Sequence, residues 1–333
     1  RRRQRQQPRT LQVFLIIVLV LLTVCVLVKA FFLKAPEQKA AELPAQPAAS
    51  DTDDSQQSRE EQAAQEALRS HLERKGGFYT ILLSGLDDDN GGSDTNILVA
   101  VDTVNGYVYG VSIPRDSKAI IDGKARKINY AYNKGGTELL ADTVSEQLGI
   151  PVDYTVSVNL KGFTALVDAI GGVDFDVPIN MDYDDPIQNL SIHFKKGVQH
   201  LSGADALRVV RFRHNNDGSG YGSEDLGRMA TQQKFLKAVA KKMLSAGNIL
   251  TKIDDYAKIF NQYVDTNLTV GNLAWLGTEV LKMGVDKIDF STLPNAWKYP
   301  YIYLDPTETL TLVNTYLNPY VEDRTADDLN IPG

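Results

Sequence analysis

One apolar run, from Leu11 to Leu33, constrains this chain more than any other feature of its sequence. The run reads LQVFLIIVLVLLTVCVLVKAFFL, and Gln12, Thr23 and Lys29 are its interruptions. A helix of about 20 apolar residues crosses a bilayer, and the long side chain of Lys29 can reach the interface. Five arginines precede the run. This excess of positive charge predicts that the N-terminal side stays in the cytoplasm and that the rest of the chain lies outside it.

A cleaved signal peptide is the alternative interpretation of the same run. Its apolar region would span about 7–15 residues and would end at a small-residue cleavage site. The run is longer than that, and the following KAFFLKAPEQKA offers only a poor site. A retained signal-anchor is therefore favoured. The single cysteine, Cys25, lies inside the run, so the rest of the chain must be held by a hydrophobic core and not by disulfides.

Composition divides the chain further. Residues 34–54 are rich in Ala, Pro, Gln and acids and have no apolar periodicity, which predicts a disordered linker. The formal charge is −7, and it becomes −12 once the five N-terminal arginines are set aside. Such a domain lacks the basic stripe that nucleic-acid binding needs. The predicted organisation is a cytoplasmic tail 1–10, an anchor 11–33, an extracellular linker and stalk 34–75, a globular domain 76–320 and a C-terminal tail 321–333.

Strand and helix patterns alternate through the globular part. An Asn-Gly turn at 105–106 predicts a hairpin between two apolar strands, and Ser202 with an acid three positions later predicts a helix start. RVVRFR (208–213) is predicted as a strand and 225–244 as a long helix. This alternation predicts an α/β fold, a three-layer α-β-α single domain with a mixed central sheet. The other predicted strands are 78–86, 95–102, 107–113, 153–160, 172–178 and 287–294, with 301–305 less strongly marked. The other predicted helices are 137–149, 161–172, 270–283 and 306–318.

An acidic segment lies between the first two strands. Asp87, Asp88 and Asp89 end one strand, and Asp94 begins the next after a short glycine loop. Carboxylate ligands at such a tip suit a hard cation such as Mg²⁺. Asp, Asn and Gly are also the ordinary residues of a solvated turn. Taken alone, the segment favours the turn.

Arginines follow two other predicted strands. Arg115 emerges directly after a buried strand, where ligand loops lie in α/β sheets, although a surface pair with Asp116 explains it equally well. On the predicted strand 208–213, Arg211 and Arg213 would form a fork on the face opposite the core, about 7 Å apart, matched to phosphate oxygens. Arg228 begins the predicted long helix, where a bound anion would favour it; pairing with nearby acids is the alternative.

The four histidines have no metal-ligand spacing, and no nucleophile elbow, phosphate-binding P-loop or dinucleotide fingerprint is present. What remains is carboxylates for a metal, arginines for phosphate and a membrane anchor. This combination points to phosphoryl transfer by charge stabilisation.

The order of several motifs resembles the LytR–CpsA–Psr family from about residue 78 to at least 245. These motifs include SGLD, SDTNILVAVD, VSIPRD, KINYAYNKGG, VRFR and DLGRMATQQKFLKAV. The resemblance implies a Gram-positive-type, single-pass cell-membrane phosphotransferase whose extracellular catalytic domain uses Mg²⁺ or Mn²⁺. Such enzymes move an anionic glycopolymer, such as teichoic acid or capsule, from a polyprenyl-pyrophosphate carrier to peptidoglycan.

The resemblance also implies roles for individual residues. Asp87 and Asp94 would hold the metal, and an Asp would act as base for attack by a sugar hydroxyl. Asp94, Arg115, Arg211 and Arg213 would be catalytic. The pyrophosphate would contact Arg115, Lys127, Arg211, Arg213, Arg228 and Gln232. The prenyl tail would occupy an apolar tunnel lined by Val156, Val158, Phe163, Val167 and Ile170, although core packing explains these residues equally well.

Two positions depart from the family pattern, and two other functions remain open. Gly92-Ser93 and Thr231 stand where family members usually carry arginines. A hydrolase of the lipid pyrophosphate would use the same residues with water as nucleophile. A non-enzymatic anchored module that binds polyanions or acts in regulation would not need Asp94.

Overall fold

The computed structural model describes residues 34–39, 71–87, 92–187, 189–221 and 253–333, together with positions 231, 234, 235, 238, 239 and 242. The predicted tail 1–10 and anchor 11–33 lie outside these residues. Within the described part of the chain, no helix combines the length and the apolar character needed to cross a membrane. The predicted long helix 225–244 lies largely outside as well, and its described positions are helical.

The elements, in chain order, are as follows. The strands are β1 (Phe78–Asp87), β2 (Gly92–Asp102), β3 (Tyr107–Ile113), β4 (Lys118–Ile121), β5 (Lys124–Lys127), β6 (Tyr154–Asn159), β7 (Val173–Val177), β8 (Met181–Asp185), β9 (Leu190–Phe194), β10 (Gly197–Leu201), β11 (Val264–Thr266), β12 (Ile288–Thr292), β13 (Asn295–Lys298) and β14 (Tyr301–Leu304). The helices are α1 (Asn129–Leu148), α2 (Leu160–Ala169), α3 (Gly203–Arg211), α4 (Ile253–Tyr263), α5 (Val270–Met283) and α6 (Pro306–Leu312), which a π-helical turn extends over Val313–Leu317.

The centre of the domain is a mixed six-stranded sheet in the order β11-β6-β1-β2-β3-β12. Strand β1 is parallel to β6 and antiparallel to β2, and β3 is antiparallel to β2 and parallel to β12. The described residues also form four two-stranded ribbons beside this sheet. The Asn-Gly hairpin between β2 and β3 is confirmed, with Gly106 at φ 73°.

Both faces of the sheet are buried because successive side chains of a strand point to opposite sides. Tyr79, Ile81 and Leu83 of β1 belong to one core cluster, which also contains residues of α2, α3 and α5. Phe78 and Leu82 belong to the other cluster, together with residues of α1 and of the segment after α6. Helices thus cover the two faces, and the mixed α/β fold with a central mixed sheet is confirmed.

The strand predicted at 208–213 is wrong. Ser202 is the N-cap of α3, as predicted, and its hydroxyl accepts a hydrogen bond from the backbone N–H of Asp205 at 3.2 Å. The helix then continues to Arg211, because Ala206, Val209 and Val210 recur at helical spacing on its buried face. Phe212 follows in extended conformation.

The prediction of a disordered linker is wrong for residues 34–39. The Gln38 side-chain amide donates to the carbonyls of Lys75 and Phe78 at 2.7 and 2.8 Å. The Lys39 backbone N–H donates to the Asp153 carboxylate at 3.0 Å. These contacts lie where β1 and β6 begin, so this segment is part of the folded domain and binds at the amino ends of the parallel strands.

Residues 321–333, predicted as a tail, also pack against the domain. The Arg324 side chain is 1% exposed, lies 4.2 Å from the centre of the Tyr320 ring, and donates to the carbonyl of His71. His71 in turn contacts Asp328 at 2.9 Å. The end of the chain is therefore joined to the residues that precede β1.

Candidate functional site at the carboxyl edge of the sheet

One edge of the central sheet collects the ends of several strands. Because β1 and β6 are parallel, β3 and β12 are parallel, and β2 runs opposite to its two neighbours, β1, β3, β6 and β12 all end at this edge and β2 begins there. We call it the carboxyl edge. It carries Asp87, the 92–94 segment and Arg115, so residues distant in sequence are brought to the same place by topology.

The acidic segment contains an irregularity in the backbone. Gly85 pairs with Thr95, whereas Leu86 pairs with Ser93. Asp94 is therefore an extra residue on β2 without a counterpart in β1, which is a β-bulge. Bulges redirect side chains and are frequent beside active sites. Asp87 closes β1 opposite Gly92, while Asp88 and Asp89 lie outside the described residues.

The chemistry of this segment can be compared with that of a metal site. Oxygen-only donor sets, such as the one predicted from Asp87 and Asp94, suit Mg²⁺ or Mn²⁺. Within the part of the chain that the structure describes, His, Cys, Asp and Glu side chains form no cluster of three or more that could hold a metal ion.

Arg115 and Lys127 are brought together by a turn and a ribbon. The backbone N–H groups of Ile128 and Asn129 donate to the carbonyls of Ser117 and Arg115 at 2.8 and 3.2 Å, which places the end of β5 beside the turn after β3. The Asp116 carboxylate lies 3.1 Å from the Lys127 Nζ and 3.9 Å from the Arg115 Nε. Asp116 thus links the two cations. The sequence alone predicts for Asp116 only a surface pair with Arg115.

Buried polar atoms extend from this edge into the sheet. Ser84 and Asn96 are both fully buried, and the Ser84 hydroxyl donates to the side-chain amide oxygen (Oδ1) of Asn96 at 3.4 Å. The Asn96 Nδ2, the Ser93 Oγ and the Thr95 Oγ1 have no hydrogen-bond partner among the described residues. Such atoms require an explanation, because an unsatisfied buried polar group costs about 1–3 kcal/mol. The sequence signal was the polar run SDTN at the start of a strand that is otherwise apolar.

Arg211 and Arg213 do not form the fork that a strand would give. Arg211 ends α3, where a cation is favoured by the helix dipole, and Arg213 follows the fully buried Phe212 in extended chain. Burial, and then the Asp185 carboxylate, raise the pKa of the Tyr183 phenol on β8. Arg213 and Arg211 lie close enough to Tyr183 to offset part of this rise. The two cations are therefore adjacent, as predicted, but on a different element.

The position of Phe212 is supported by a short chain of contacts. Its ring meets that of Tyr221 edge-to-face at 5.7 Å. The Thr231 hydroxyl donates to the Tyr221 phenol oxygen at 2.8 Å, and Thr231 is 2% exposed. The residue that replaces a family arginine is thus a buried hydrogen-bond donor. Arg228 and Gln232 lie outside the described residues.

The candidate tunnel residues are all brought together in one core cluster. Each is at most 1% exposed: Val156, Val158, Phe163, Val167 and Ile170. The Phe163 ring lies 6.4 Å from that of Phe235, and Phe235 lies 5.2 Å from Phe175. Their apolar surroundings suit either a prenyl chain or ordinary packing.

A mixed α/β domain with acids and cations gathered at the carboxyl edge of its sheet suits a phosphate-bearing ligand. The LytR_cpsA_psr family model matches residues 44–317. The chain belongs to this family, which confirms the resemblance seen in its motifs.

Named relatives and solved structures agree with this assignment. The chain is 37% identical over 202 residues to the polyisoprenyl-teichoic acid–peptidoglycan teichoic acid transferase TagV of Bacillus subtilis, covering 58% of this chain and 50% of the relative. It is 37% identical over 195 residues to the TagU transferase of Bacillus cereus, covering 57% and 60%. The aligned part therefore spans about half of the first relative and somewhat more of the second.

Among solved structures, that of B. subtilis TagV superposes with a TM-score of 0.57 and 32% identity, covering 72% of this chain and 96% of that one. The structure of TagT bound to LIIa-WTA superposes with a TM-score of 0.55 and 25% identity, covering 74% and 91%.

Proposed function

We propose that this protein transfers an anionic glycopolymer from a polyprenyl-pyrophosphate carrier to peptidoglycan. The observation that carries the proposal is the carboxyl edge, where Arg115 and Lys127 share Asp116 beside the strand ends that bear Asp87 and Asp94. The names of TagV and TagU describe those relatives as teichoic acid transferases that act on polyisoprenyl-teichoic acid and peptidoglycan.

Transfer requires one bond to form and one to break. A sugar hydroxyl of the acceptor attacks the phosphorus that bears the glycan, a new phosphodiester forms, and polyprenyl monophosphate leaves. Arg115, Lys127, Arg211 and Arg213, with Arg228 and Gln232 of the predicted long helix, bind the phosphate oxygens and offset their charge. An Asp at the carboxyl edge accepts the proton of the attacking hydroxyl.

Asp87 and Asp94 are the residues that would hold Mg²⁺ or Mn²⁺. A bound divalent ion supplies further positive charge beside the pyrophosphate. Two observations support this assignment. The bulge at Asp94 interrupts the regular pairing of β1 and β2, and the buried hydroxyls of Ser93 and Thr95 beside it have no hydrogen-bond partner among the described residues.

The carrier lipid belongs to the same proposal. Its prenyl tail would lie among Val156, Val158, Phe163, Val167 and Ile170, on the core face covered by α2, α3 and α5. Residues 11–33 would anchor the protein in the cell membrane as a single span. The catalytic domain 76–320 would then lie outside the cytoplasm, where the peptidoglycan acceptor is found.

The test is a transfer assay with the full chain in detergent, polyprenyl-pyrophosphate glycan as donor and peptidoglycan as acceptor. We expect covalent product that is lost with chelator, restored by Mg²⁺, and reduced at least about 100-fold by Arg115→Ala or Asp94→Ala. Free polymer without linkage would support the hydrolase instead. Tight binding of donor without turnover would support a non-enzymatic module. Intact transfer in both variants would overturn the site assignment.

A further inference from the structure

Beside the carboxyl edge, an exposed ribbon carries a group of aromatic side chains. We call this ribbon, which consists of β13, β14 and the turn between them, the aromatic hairpin. Trp297 is 49% exposed and Tyr299 is 81% exposed. Tyr301 and Tyr303 lie next to them, half-buried, with their rings edge-to-face at 6.3 Å. Large aromatic side chains gathered at a surface are typical of binding sites.

A second ribbon, β4 and β5, supplies positive charge. Between Arg115 and Lys134 the chain carries six cations and two carboxylates, a net charge of +4, within a protein whose formal charge is −7. We call this stretch the basic segment. Cations and rings of the two ribbons are interleaved, since the Lys118 and Lys298 ammonium groups lie 5.0 and 5.8 Å from the centre of the Tyr303 ring.

The two ribbons are joined to the candidate site through backbone contacts. The N–H of Ile302 donates to the carbonyl of Asp116 at 2.9 Å, and Ser117 forms a bridge with Ile302. The Tyr301 hydroxyl donates to the carbonyl of Ala125 at 3.2 Å. Because Asp116 also contacts Lys127, these contacts link the cations of the candidate site to the ribbon that bears the exposed rings.

We propose that the aromatic hairpin and the basic segment bind the anionic glycopolymer beyond its pyrophosphate link. Ring faces stack on apolar sugar faces, and the lysines and arginines of the basic segment offset the charge of successive phosphodiesters. This inference rests on the proposed function and adds a second contact region for the same donor. Charge complementarity selects the occupant, since the basic segment carries a net charge of +4 that a neutral glycan would not offset.

An anionic bilayer surface also attracts tryptophan, tyrosine and lysine. The folded position of residues 34–39 argues against it. This segment, which directly follows the apolar run, binds at Phe78 and Asp153, where β1 and β6 begin. The aromatic hairpin adjoins the opposite, carboxyl edge. A membrane reached through this segment would therefore lie away from the exposed rings.

Binding of isolated teichoic acid, which contains sugars and phosphodiesters, to the full chain tests the proposal. We expect Trp297→Ala combined with Tyr299→Ala to weaken binding at least about tenfold. Lys124→Ala combined with Lys298→Ala should weaken it similarly and reduce its salt dependence. Val104→Ala, at a 74% exposed position in the β2–β3 turn, and Lys282→Ala, at a 64% exposed position on α5, are the matched controls.

Three comparisons decide the outcome. Inorganic polyphosphate should lose affinity with the lysine variants only, and neutral dextran should bind weakly throughout. Transfer from a donor that carries a single disaccharide should be unchanged in the aromatic variant, whereas transfer from a long polymer should fall.

Unchanged teichoic acid binding, or an aromatic variant that loses only binding to phosphatidylglycerol vesicles, would overturn the proposal. Absence of transfer from any donor by the unaltered protein would instead refute the proposed function, and polymer binding would remain measurable.

Discussion

Removing the Asp153 carboxylate should destabilise the domain more than any exposed substitution. This side chain is fully buried and contacts Arg74 through both guanidinium branches, at 2.8 and 3.1 Å. It also accepts hydrogen bonds from the backbone N–H groups of Thr80 at 2.9 Å and Lys39 at 3.0 Å. One carboxylate therefore connects β1, the start of β6, Arg74 four residues before β1, and the 34–39 segment.

The magnitude follows from what Asp153→Ala leaves behind. The Arg74 side chain is only 10% exposed, so its charge would lose its partner in a poorly solvated place. Breaking such a pair costs about 3–5 kcal/mol. For a domain of this size that corresponds to a fall in Tm of about 10 °C. Asp153→Asn should cost less, because one oxygen still accepts from Thr80.

Thermal unfolding of the full chain in detergent, followed by tryptophan fluorescence, measures this effect. Trp275 is a suitable reporter, since its ring lies 5.6 Å from that of Tyr79 on β1. Asp142→Ala, at an exposed position on α1, is the control and should change stability by less than about 0.5 kcal/mol. In the double variant Asp153→Ala with Arg74→Met, the loss in free energy of unfolding should be smaller than the sum of the two single losses, because no unpaired buried charge remains. Additive losses, or an Asp153→Ala variant as stable as the control, would refute the reasoning.

Three further predictions concern packing, backbone and pH. Phe163→Ala should lower the free energy of unfolding by about 3–5 kcal/mol in urea titrations because its ring is fully buried, and an unchanged value would contradict this. Gly149→Ala should lower Tm, because Gly149 has φ 64° and a Cβ there would lie 2.4 Å from the Asp328 carbonyl oxygen, whereas Gly76→Ala meets nothing within 4 Å. Burial raises the pKa of Tyr107 to about 12, so its contribution to stability is present below pH 10 and lost as pH rises toward 12. Tyr107→Phe should therefore show a smaller alkaline fall in Tm, and an identical pH profile would contradict this.

Much of the architecture could be predicted because local patterns and tertiary packing agree. The strands around Ile81, Val99 and Val111 are apolar runs bounded by turn residues, and the Asn-Gly turn specifies the hairpin between β2 and β3. The α3 region shows where this agreement ends. Residues 210–213 alternate apolar and charged side chains like a strand. Yet Val209 and Val210 also continue the helical period that starts at Ser202, and packing against the core decides for the helix.

The sequence by itself determined the family, the apolar run, the fold class and the identity of the charged residues at the carboxyl edge. These follow from residue types and short-range order along the chain. Only the tertiary structure decided that Asp116 lies between Arg115 and Lys127, that Asp94 occupies a bulge, and that residues 34–39 bind beside Asp153. The physical reason is that strand order and register bring together residues far apart in the chain, and no local pattern specifies which of them will meet.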